Sequence, residues 1–201
     1  MRPENDLVRG IRNRDPGIFE EFVRRYQSQV YFTALRMVGE RDDALDVAQE
    51  VFLKIWRFAP KLKGDVALKT WVYRVAVNTC IDRLRERGRH ADHTARNNLI
   101  LLAVPDQQMS PHEHARMAEE LNRLRNALNE LTERQRSVFV LRHFQNLRTG
   151  EIAEILSTPE GTIKATLYQT LQKLRGLLGT PAREISDRDE SEPKSDSEIA
   201  R

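Results

Sequence analysis

The sequence predicts an all-α fold built from two small helical domains. Apolar residues recur at steps of three and four through most of residues 7–178, which is the period of helices that bury one face. No segment shows the sustained two-residue alternation of β-branched residues that indicates strands. Helix-entry signals such as Ser110-Pro111 and Thr132 precede several of the periodic segments. Together these observations exclude a sheet-based core.

The first half of the chain reads as one short helix followed by three longer helices. Their apolar stripes are spaced so that the four helices can share one core. The third helix carries its stripe at Ala44, Val47, Val51 and Ile55. The boundaries are predicted at Asp15-Pro16-Gly17, at Gly39 with Asp42 or Asp43 as the following cap, at Pro60, and over a loop at 61–66 before the helix at 68–84.

The second half begins after a stretch in which helical periodicity is lost. We predict a first domain at residues 1–88, a flexible linker at 89–110, a second domain at 111–179 and a disordered acidic tail at 180–201. Four basic and seven acidic groups in residues 183–201 produce a net charge of −3, although the whole chain carries +3. The remaining 182 residues are therefore distinctly basic.

A short helix, a break at Ser157-Thr158-Pro159 and a longer helix over 160–178 form the pattern of a helix-turn-helix. In that motif the second helix enters the DNA major groove. Spacing alone leaves an ordinary helical hairpin equally open. The outward face of the second helix favours DNA binding, because it consists of small, polar and basic residues: Glu160, Thr162, Lys164, Ala165, Tyr168, Gln169, Gln172 and Lys173.

A second candidate for nucleic-acid binding is the segment 61–96, which contains nine basic and four acidic residues. Phe58, Trp71 and Tyr73 lie among these charges, so the stretch could hold phosphates while an aromatic residue or a pocket receives unstacked bases. The alternative is a solvated helix face, and for Trp71 we favour a place in the core.

An acidic row on the third helix is better suited to a basic protein surface than to DNA. Asp43, Asp46 and Glu50 lie at i, i+3 and i+7, with Gln49 beside them, and we place this row opposite the apolar stripe. The alternative interpretation is an exposed face with an ordinary Glu50–Lys54 pair inside the helix.

Several classes of function are excluded by what the sequence lacks. The longest apolar run, residues 99–104, is far shorter than the ~20 residues of a membrane span, and residues 1–10 are polar, so we expect a cytoplasmic protein with no membrane insertion. The single cysteine, Cys80, is expected to be a packed thiol. We find no catalytic motif and expect no enzyme, no cofactor and no metal site, since the histidines lack further ligands at suitable spacing.

Three segments in order resemble bacterial RNA polymerase sigma factors of the extracytoplasmic-function (ECF) group. Residues 43–56 (DALDVAQEVFLKIW) look like the polymerase-binding helix of sigma region 2. Residues 68–84 (LKTWVYRVAVNTCIDRL) resemble the promoter-melting helix of that region. Residues 131–136, 151–156 and 160–164 (LTERQR, EIAEIL and EGTIK) are similar to the helix-turn-helix of sigma region 4. The resemblance covers about residues 7–178.

The resemblance implies that the chain binds core RNA polymerase and promoter DNA and is controlled by an anti-sigma factor. It assigns core-polymerase binding to Asp43, Asp46, Gln49 and Glu50, on the clamp helices of the largest subunit. It assigns the minus-ten element to Phe58, Lys61, Lys63, Arg74, Asn78, Arg83 and Arg85. It assigns the minus-thirty-five element to Glu160, Thr162, Lys164, Ala165, Thr166, Tyr168, Gln169 and Lys173. The linker reaches at most ~70–80 Å, about two turns of duplex, so one chain can hold both elements.

The recognition helix departs from the family at two positions that are commonly basic. Thr166 stands where an arginine is usual, and Gln169 occupies another frequently basic position. We expect weaker upstream binding with a flatter salt dependence, by ~0.9 in log–log slope for each lost phosphate contact. The competing hypothesis for the whole chain is a stand-alone helix-turn-helix regulator that uses only the second domain.

Overall fold

The computed structural model describes residues 3–62, 67–89 and 111–179. These residues form eight α-helices and one short 3₁₀ turn, and no strand occurs among them. The predicted all-α class is confirmed. Of the predicted features, Lys63, nearly all of the linker and the acidic tail lie outside the described residues. The helices are α1 Glu4–Arg12, α2 Pro16–Val38, α3 Arg41–Phe58, α4 Leu68–Arg89, α5 Pro111–Asn129, α6 Glu133–His143, α7 Thr149–Leu156 and α8 Glu160–Leu178, with the 3₁₀ turn at Ala59–Lys61.

Local signals set most of the helix ends. The Asp15 carboxylate accepts hydrogen bonds from the backbone N–H groups of residues 17 and 18, which caps α2, and Gly39 ends that helix at a φ of 84°. The predicted cap of α3 is wrong. The helix begins at Arg41, so Asp42 and Asp43 lie inside its first turn, where carboxylates favour the positive end of the helix dipole.

The first half folds as the sequence predicts, with α2, α3 and α4 packed together and α1 against α2. All four stripe residues of α3 are fully buried. On α4 the stripe includes Leu68, Val72 and Cys80, which are fully buried, and Trp71 packs partly buried against the same core. The fourth helix extends to Arg89, one residue into the predicted linker.

The second half consists of α5 to α8. A capping box begins α6, since the Thr132 hydroxyl accepts from the Gln135 N–H and the Gln135 side chain accepts from the Thr132 N–H. Residues Ala127, Leu128, Leu131 and Leu174 form a small cluster that joins α5 to α8. The predicted second helix of the helix-turn-helix, residues 160–178, matches α8 at both ends.

The two halves pack directly against each other, which the sequence did not predict. The apolar cluster of the first half continues into Val138, Leu141, Leu147 and Ile152 of the second. Helix α2 contacts α6, and α4 contacts both α6 and α7. One apolar interior therefore spans both halves, while the outer faces of α3 and α8 remain open to solvent.

Candidate partner and nucleic-acid interfaces

The acidic side chains of α3 lie on more than one face. Asp46 and Gln49 are exposed, and the Asp46 side chain retains 63% of its accessible surface. Asp43 turns toward α4, where its carboxylate contacts the guanidinium of Arg87, and only 18% of its side chain is exposed. The prediction that Asp43 lies opposite the apolar stripe is wrong, because α4 packs along that flank of α3.

Basic side chains from α3 and α4 line the same flank. Arg83 Nη2 lies 3.6 Å from Asp46 Oδ2. Lys54 Nζ lies 2.8 Å from Glu50 Oε1 and donates to the Thr79 hydroxyl at 3.1 Å. The Glu50–Lys54 pair, considered above as an alternative to a docking role, is therefore present. The carboxylates of Asp46 and Glu50 remain partly exposed, each beside a cation that offsets its charge.

Two exposed leucines extend the outer face of α3, and the sequence analysis missed them. Leu45 and Leu53 retain 50% and 63% of their accessible surface. They lie four residues before and four residues after Gln49, so the three side chains line up along one side of the helix. The sequence did contain a signal for their exposure, because both leucines lie outside the apolar stripe at 44, 47, 51 and 55. The outer face of α3 thus combines apolar side chains with neighbouring carboxylates.

An aromatic ring flanked by two cations ends α3. Phe58 is 44% exposed, and the Arg57 guanidinium and the Lys61 ammonium each lie 5.8 Å from the centre of its ring. Such a ring can stack on an unpaired base while the cations hold the neighbouring phosphates. Phe58 and Lys61, both assigned to the minus-ten element from the sequence, thus lie next to each other.

The predicted DNA-binding residues of α4 are on its surface, but three of them already have partners. Arg74 and Asn78 are exposed one turn apart. The Arg74 guanidinium donates from Nε to the main-chain oxygen of Ile155 at 3.2 Å and from Nη2 to that of Glu154. Arg83 pairs with Asp46 as described. On the same helix, Arg85 Nε donates to Glu133 Oε2 at 3.1 Å.

The helix-turn-helix of the second half is built as predicted. Ile152 and Ile155 of α7 pack with Ile163 and Leu167 of α8 in the buried interior. Ser157 ends α7 at a φ of 49°, a left-handed conformation that turns the chain sharply into α8. These contacts hold α8 against α7 and leave the opposite face of α8 outward.

The outward face of α8 matches the prediction at every position. All eight side chains predicted to face outward are exposed: Glu160, Thr162, Lys164, Ala165, Tyr168, Gln169, Gln172 and Lys173. Tyr168 is the largest, with 65% of its surface accessible. Lys173 is held near the end of α5, where its ammonium donates to the main-chain oxygen of Glu130.

Thr166 does not belong to this face, and its prediction as a minus-thirty-five contact is corrected here. Only 8% of the residue is exposed, and its hydroxyl donates to the main-chain oxygen of Thr162 at 2.8 Å. The adjacent Leu167 and Thr170 are buried on the same side. Thr166 therefore packs the helix onto its domain and has no side-chain group free for a base.

Two side-chain contacts hold the Glu160 carboxylate at the start of α8. Its Oε1 accepts from the Thr149 hydroxyl at 2.9 Å and lies 3.1 Å from Lys164 Nζ. Hydrogen bonds from Lys164 and then from Thr149 lower the pKa of the Glu160 carboxyl. The Glu160–Lys164 pair is thus electrically neutral, which leaves this end of the recognition face with little positive charge.

The described residues contain no group of three or more histidine, cysteine, aspartate or glutamate side chains placed to hold a metal ion. Within the same ranges, no helix has both the length and the apolar character of a membrane span.

Comparison with known proteins identifies both halves. The family model of sigma-70 region 2 matches residues 22–90, and that of sigma-70 region 4 matches residues 121–174. The RNA polymerase sigma-H factor of Pseudomonas aeruginosa is 30% identical over 188 residues, covering 90% of this chain and 96% of its own. The ECF sigma-E factor of Escherichia coli is also 30% identical, with 84% and 90% covered.

Solved structures show the same fold. CnrH in complex with the cytosolic domain of CnrY superimposes with a TM-score of 0.64 at 20% identity, over 86% of this chain and 95% of that one. The sigma factor RpoE from Bartonella quintana, in complex with the anti-sigma factor NepR, superimposes with a TM-score of 0.63 at 22% identity, over 81% and 97%.

The fold defines a two-part, all-helical protein with a helix-turn-helix in its second half. The chain belongs to the sigma-70 family, and within it to the ECF group of RNA polymerase sigma factors.

Proposed function

We propose that this chain joins core RNA polymerase and directs it to promoters that carry matching minus-ten and minus-thirty-five elements. The observation that carries the proposal is the presence, in one chain, of an exposed acidic and apolar face on α3, a basic flank on α4 and a helix-turn-helix in the second half. A stand-alone helix-turn-helix regulator would need only the last of these. The protein acts in the cytoplasm by binding, without turning over a substrate of its own.

The polymerase-binding surface consists of the outer face of α3. Asp46 and Glu50 supply carboxylates that can exchange Arg83 and Lys54 for cations of the partner, and Gln49 supplies a hydrogen-bonding amide. Leu45 and Leu53 supply the apolar area. Interfaces gain most of their affinity from a few side chains that become fully desolvated, while rim charges mainly steer association. We therefore assign affinity to the two leucines and orientation toward a basic clamp surface to the carboxylates. Asp43 contacts Arg87 of α4 and stabilises the packing of α3 instead of facing the partner.

The minus-ten element is engaged by the flank that runs from the end of α3 along α4. Phe58 stacks on an unpaired base, and Lys61 with the neighbouring Lys63 contacts the backbone. Asn78 is exposed and presents both a donor and an acceptor to a base edge. Arg74, Arg83 and Arg85 hold phosphates once their present partners are displaced.

The minus-thirty-five element is read by α8 as duplex. Tyr168, Gln169 and Ala165 form the centre of the outward face, and Thr162 and Lys164 lie at its N-terminal end. Glutamine can bond adenine bidentately, and small or aromatic groups contact the thymine methyl. Because Glu160 neutralises Lys164, this helix carries few phosphate contacts, and specificity depends on base contacts.

Control by an anti-sigma protein completes the proposal. In the similar structure from Bartonella quintana, the sigma factor RpoE is bound by the anti-sigma factor NepR. The same α3 face that receives polymerase is open in the free chain, so an inhibitor that covers Leu45 and Leu53 would exclude polymerase by direct competition.

A pull-down with core RNA polymerase tests the proposal. The wild-type chain is expected to form a complex that supports run-off transcription from a promoter library, and Asp46→Lys with Glu50→Lys is expected to abolish both. The control, Glu119→Lys with Glu120→Lys, makes the same charge change on α5, where both carboxylates pair within their own helix. Failure of the wild-type chain to bind core polymerase, with retained duplex DNA binding, would favour the stand-alone regulator.

A further inference from the structure

The polymerase-binding carboxylates of α3 already have cations of their own chain beside them. Arg83 lies beside Asp46, and Lys54 lies beside Glu50. We propose that Lys54 is an internal competitor of polymerase, because its ammonium occupies Glu50 and thereby lowers the affinity of the docking face for a basic partner surface. The inference rests on the proposed function, since it concerns the affinity of that same face.

The cations follow from the antiparallel packing of α3 on α4. As residue numbers rise along α3, those of the partners on α4 fall, in the pairs Asp43–Arg87, Asp46–Arg83 and Lys54–Thr79. A carboxylate at one of these positions of α3 therefore meets a basic or hydroxyl side chain of α4. The closest pair on the exposed part of this row is Glu50 with Lys54, whose charged atoms are 2.8 Å apart.

Lys54 is held more firmly than a lysine in an ordinary exposed pair. Its Nζ donates to the Thr79 hydroxyl at 3.1 Å and lies 4.0 Å from Asp82 Oδ2. The Thr79 hydroxyl donates its own proton to the main-chain oxygen of Val75 at 2.9 Å, so its oxygen is left to accept. Exposed ion pairs are normally weak, partly because two long side chains must be ordered. The contacts with α4 order Lys54 in advance, which strengthens its hold on Glu50.

A cation of the partner that approaches Glu50 loses energy in either of two ways. It can share the carboxylate with the Lys54 ammonium, in which case the two cations repel each other. It can instead displace the ammonium and break the 2.8 Å contact. Charges at the rim of an interface act mainly on the association rate, because they steer the approach of the partner. Lys54 is therefore expected to slow association with polymerase.

Two other roles for Lys54 predict the opposite effect of its removal. A lysine that held Glu50 in the orientation required by polymerase would be a positioning residue, and its loss would weaken binding. A lysine that contacted polymerase directly would also weaken binding when it is removed. Only the role of an internal competitor predicts tighter binding, so the sign of the change distinguishes the three.

Lys54→Met tests the proposal, because methionine keeps an unbranched apolar stem and removes the charge. The matched control is Arg24→Met on α2. It changes the net charge of the same half equally and removes the cation of another i,i+4 pair, Arg24–Glu20, whose atoms also lie 2.8 Å apart. Lys54→Arg retains a cation and serves as the conservative variant. If methionine impairs folding, Lys54→Gln replaces it, since glutamine can still donate a hydrogen bond to Thr79.

The readout is the association rate and affinity of the labelled full chain for core polymerase at several salt concentrations, with urea unfolding as the check of the fold. Lys54→Met is expected to bind about threefold more tightly than wild type, chiefly through faster association, and the gain should shrink as salt screens the charges. Arg24→Met and Lys54→Arg should stay close to wild type. Equal or weaker binding by Lys54→Met, with an intact fold, would overturn the proposal.

A double-mutant cycle locates the effect at Glu50. Glu50→Gln should cost more affinity for polymerase in the Lys54→Met background than in wild type, because the carboxylate is no longer masked. Equal costs in both backgrounds would show that Lys54 does not act through Glu50. If wild type binds core polymerase and transcribes but Lys54→Met gains no affinity, this inference alone is wrong. If wild type fails to bind polymerase, the proposed function is wrong.

Discussion

Arg136 joins two helix ends that belong to different halves of the protein. Its Nη1 donates to the main-chain oxygen of Met37 in α2 at 2.7 Å, while Nε and Nη2 donate to those of Leu128 and Asn129 at the end of α5, at 3.0 and 3.1 Å. Burial lowers the pKa of this guanidinium, because desolvation penalises its charged form. One side chain therefore satisfies buried carbonyl groups on both sides of the interface.

Replacing Arg136 by methionine is expected to lower the free energy of unfolding by about 3 kcal/mol. Methionine keeps much of the packing volume but removes the donor from the Met37 and Asn129 oxygens, while the Leu128 oxygen keeps the Leu131 N–H at 3.2 Å. A buried acceptor left without a donor is costly. Urea unfolding measures the change. Arg116→Met, at an exposed intrahelical pair on α5, should shift stability by less than ~0.5 kcal/mol. A similar shift in both variants would contradict the role assigned to Arg136.

Replacing both Leu45 and Leu53 by alanine is expected to weaken binding to core polymerase by about tenfold. The two side chains are exposed in the free chain, so their truncation removes interface area without opening a cavity. The unfolding free energy should change by less than ~0.5 kcal/mol. Leu177→Ala on α8, which is similarly exposed, serves as the control. Polymerase affinity is measured by titration with a labelled chain. An unchanged affinity would show that the two leucines do not belong to the docking surface.

Substitution of Asp43 is expected to lower stability, whereas substitution of Asp46 is expected to weaken partner binding. Asp43→Asn weakens the half-buried contact with Arg87 and should lower the unfolding free energy by about 1 kcal/mol. Asp46→Asn affects an exposed carboxylate and should leave stability within ~0.5 kcal/mol while weakening polymerase binding. Thermal unfolding and polymerase titration of the two variants measure both effects. A larger loss of stability in Asp46→Asn than in Asp43→Asn would reverse the assignment.

Cys80 is expected to make stability fall at alkaline pH. Burial raises the pKa of its thiol from an ordinary value near 9.0 to about 12. The pKa of the thiol is higher in the folded state than in the unfolded state. The stabilisation from the buried neutral thiol is therefore fully present below pH 9 and is lost as the pH rises from 9 toward 12. Between pH 8 and pH 10, wild type should lose about 1 kcal/mol more than Cys80→Ala in urea unfolding. Equal losses in the two proteins would show that the thiol titrates normally in the folded state.

Local sequence features determined the helices and the exposed face of α8. The outward residues of α8 follow from the 3.6-residue period, and all eight were predicted. Thr166 was the exception, because it was assigned by analogy with a family position and not from the period, which places it beside the buried Leu167. The end of α2 at Gly39 and the start of α6 at Thr132 likewise follow from short-range capping chemistry.

The direction in which a polar side chain points, and its partner, depended on packing between helices. The sequence placed Asp43 in an acidic row, but only the position of α4 reveals that it faces Arg87 while Asp46 remains exposed. The exposure of Leu45 and Leu53 likewise depends on packing, since the described helices leave the outer face of α3 uncovered.

What the sequence by itself determined is the all-helical class, the positions of the helices, the family and the basic character of α4. Only the tertiary structure decided that the two halves share one interior and that Arg74 is bound to the end of α7. The physical reason is that a guanidinium binds a helix-terminal carbonyl and a phosphate through the same donors. Which of them it meets depends on contacts between residues about 80 positions apart, and no local pattern contains that information.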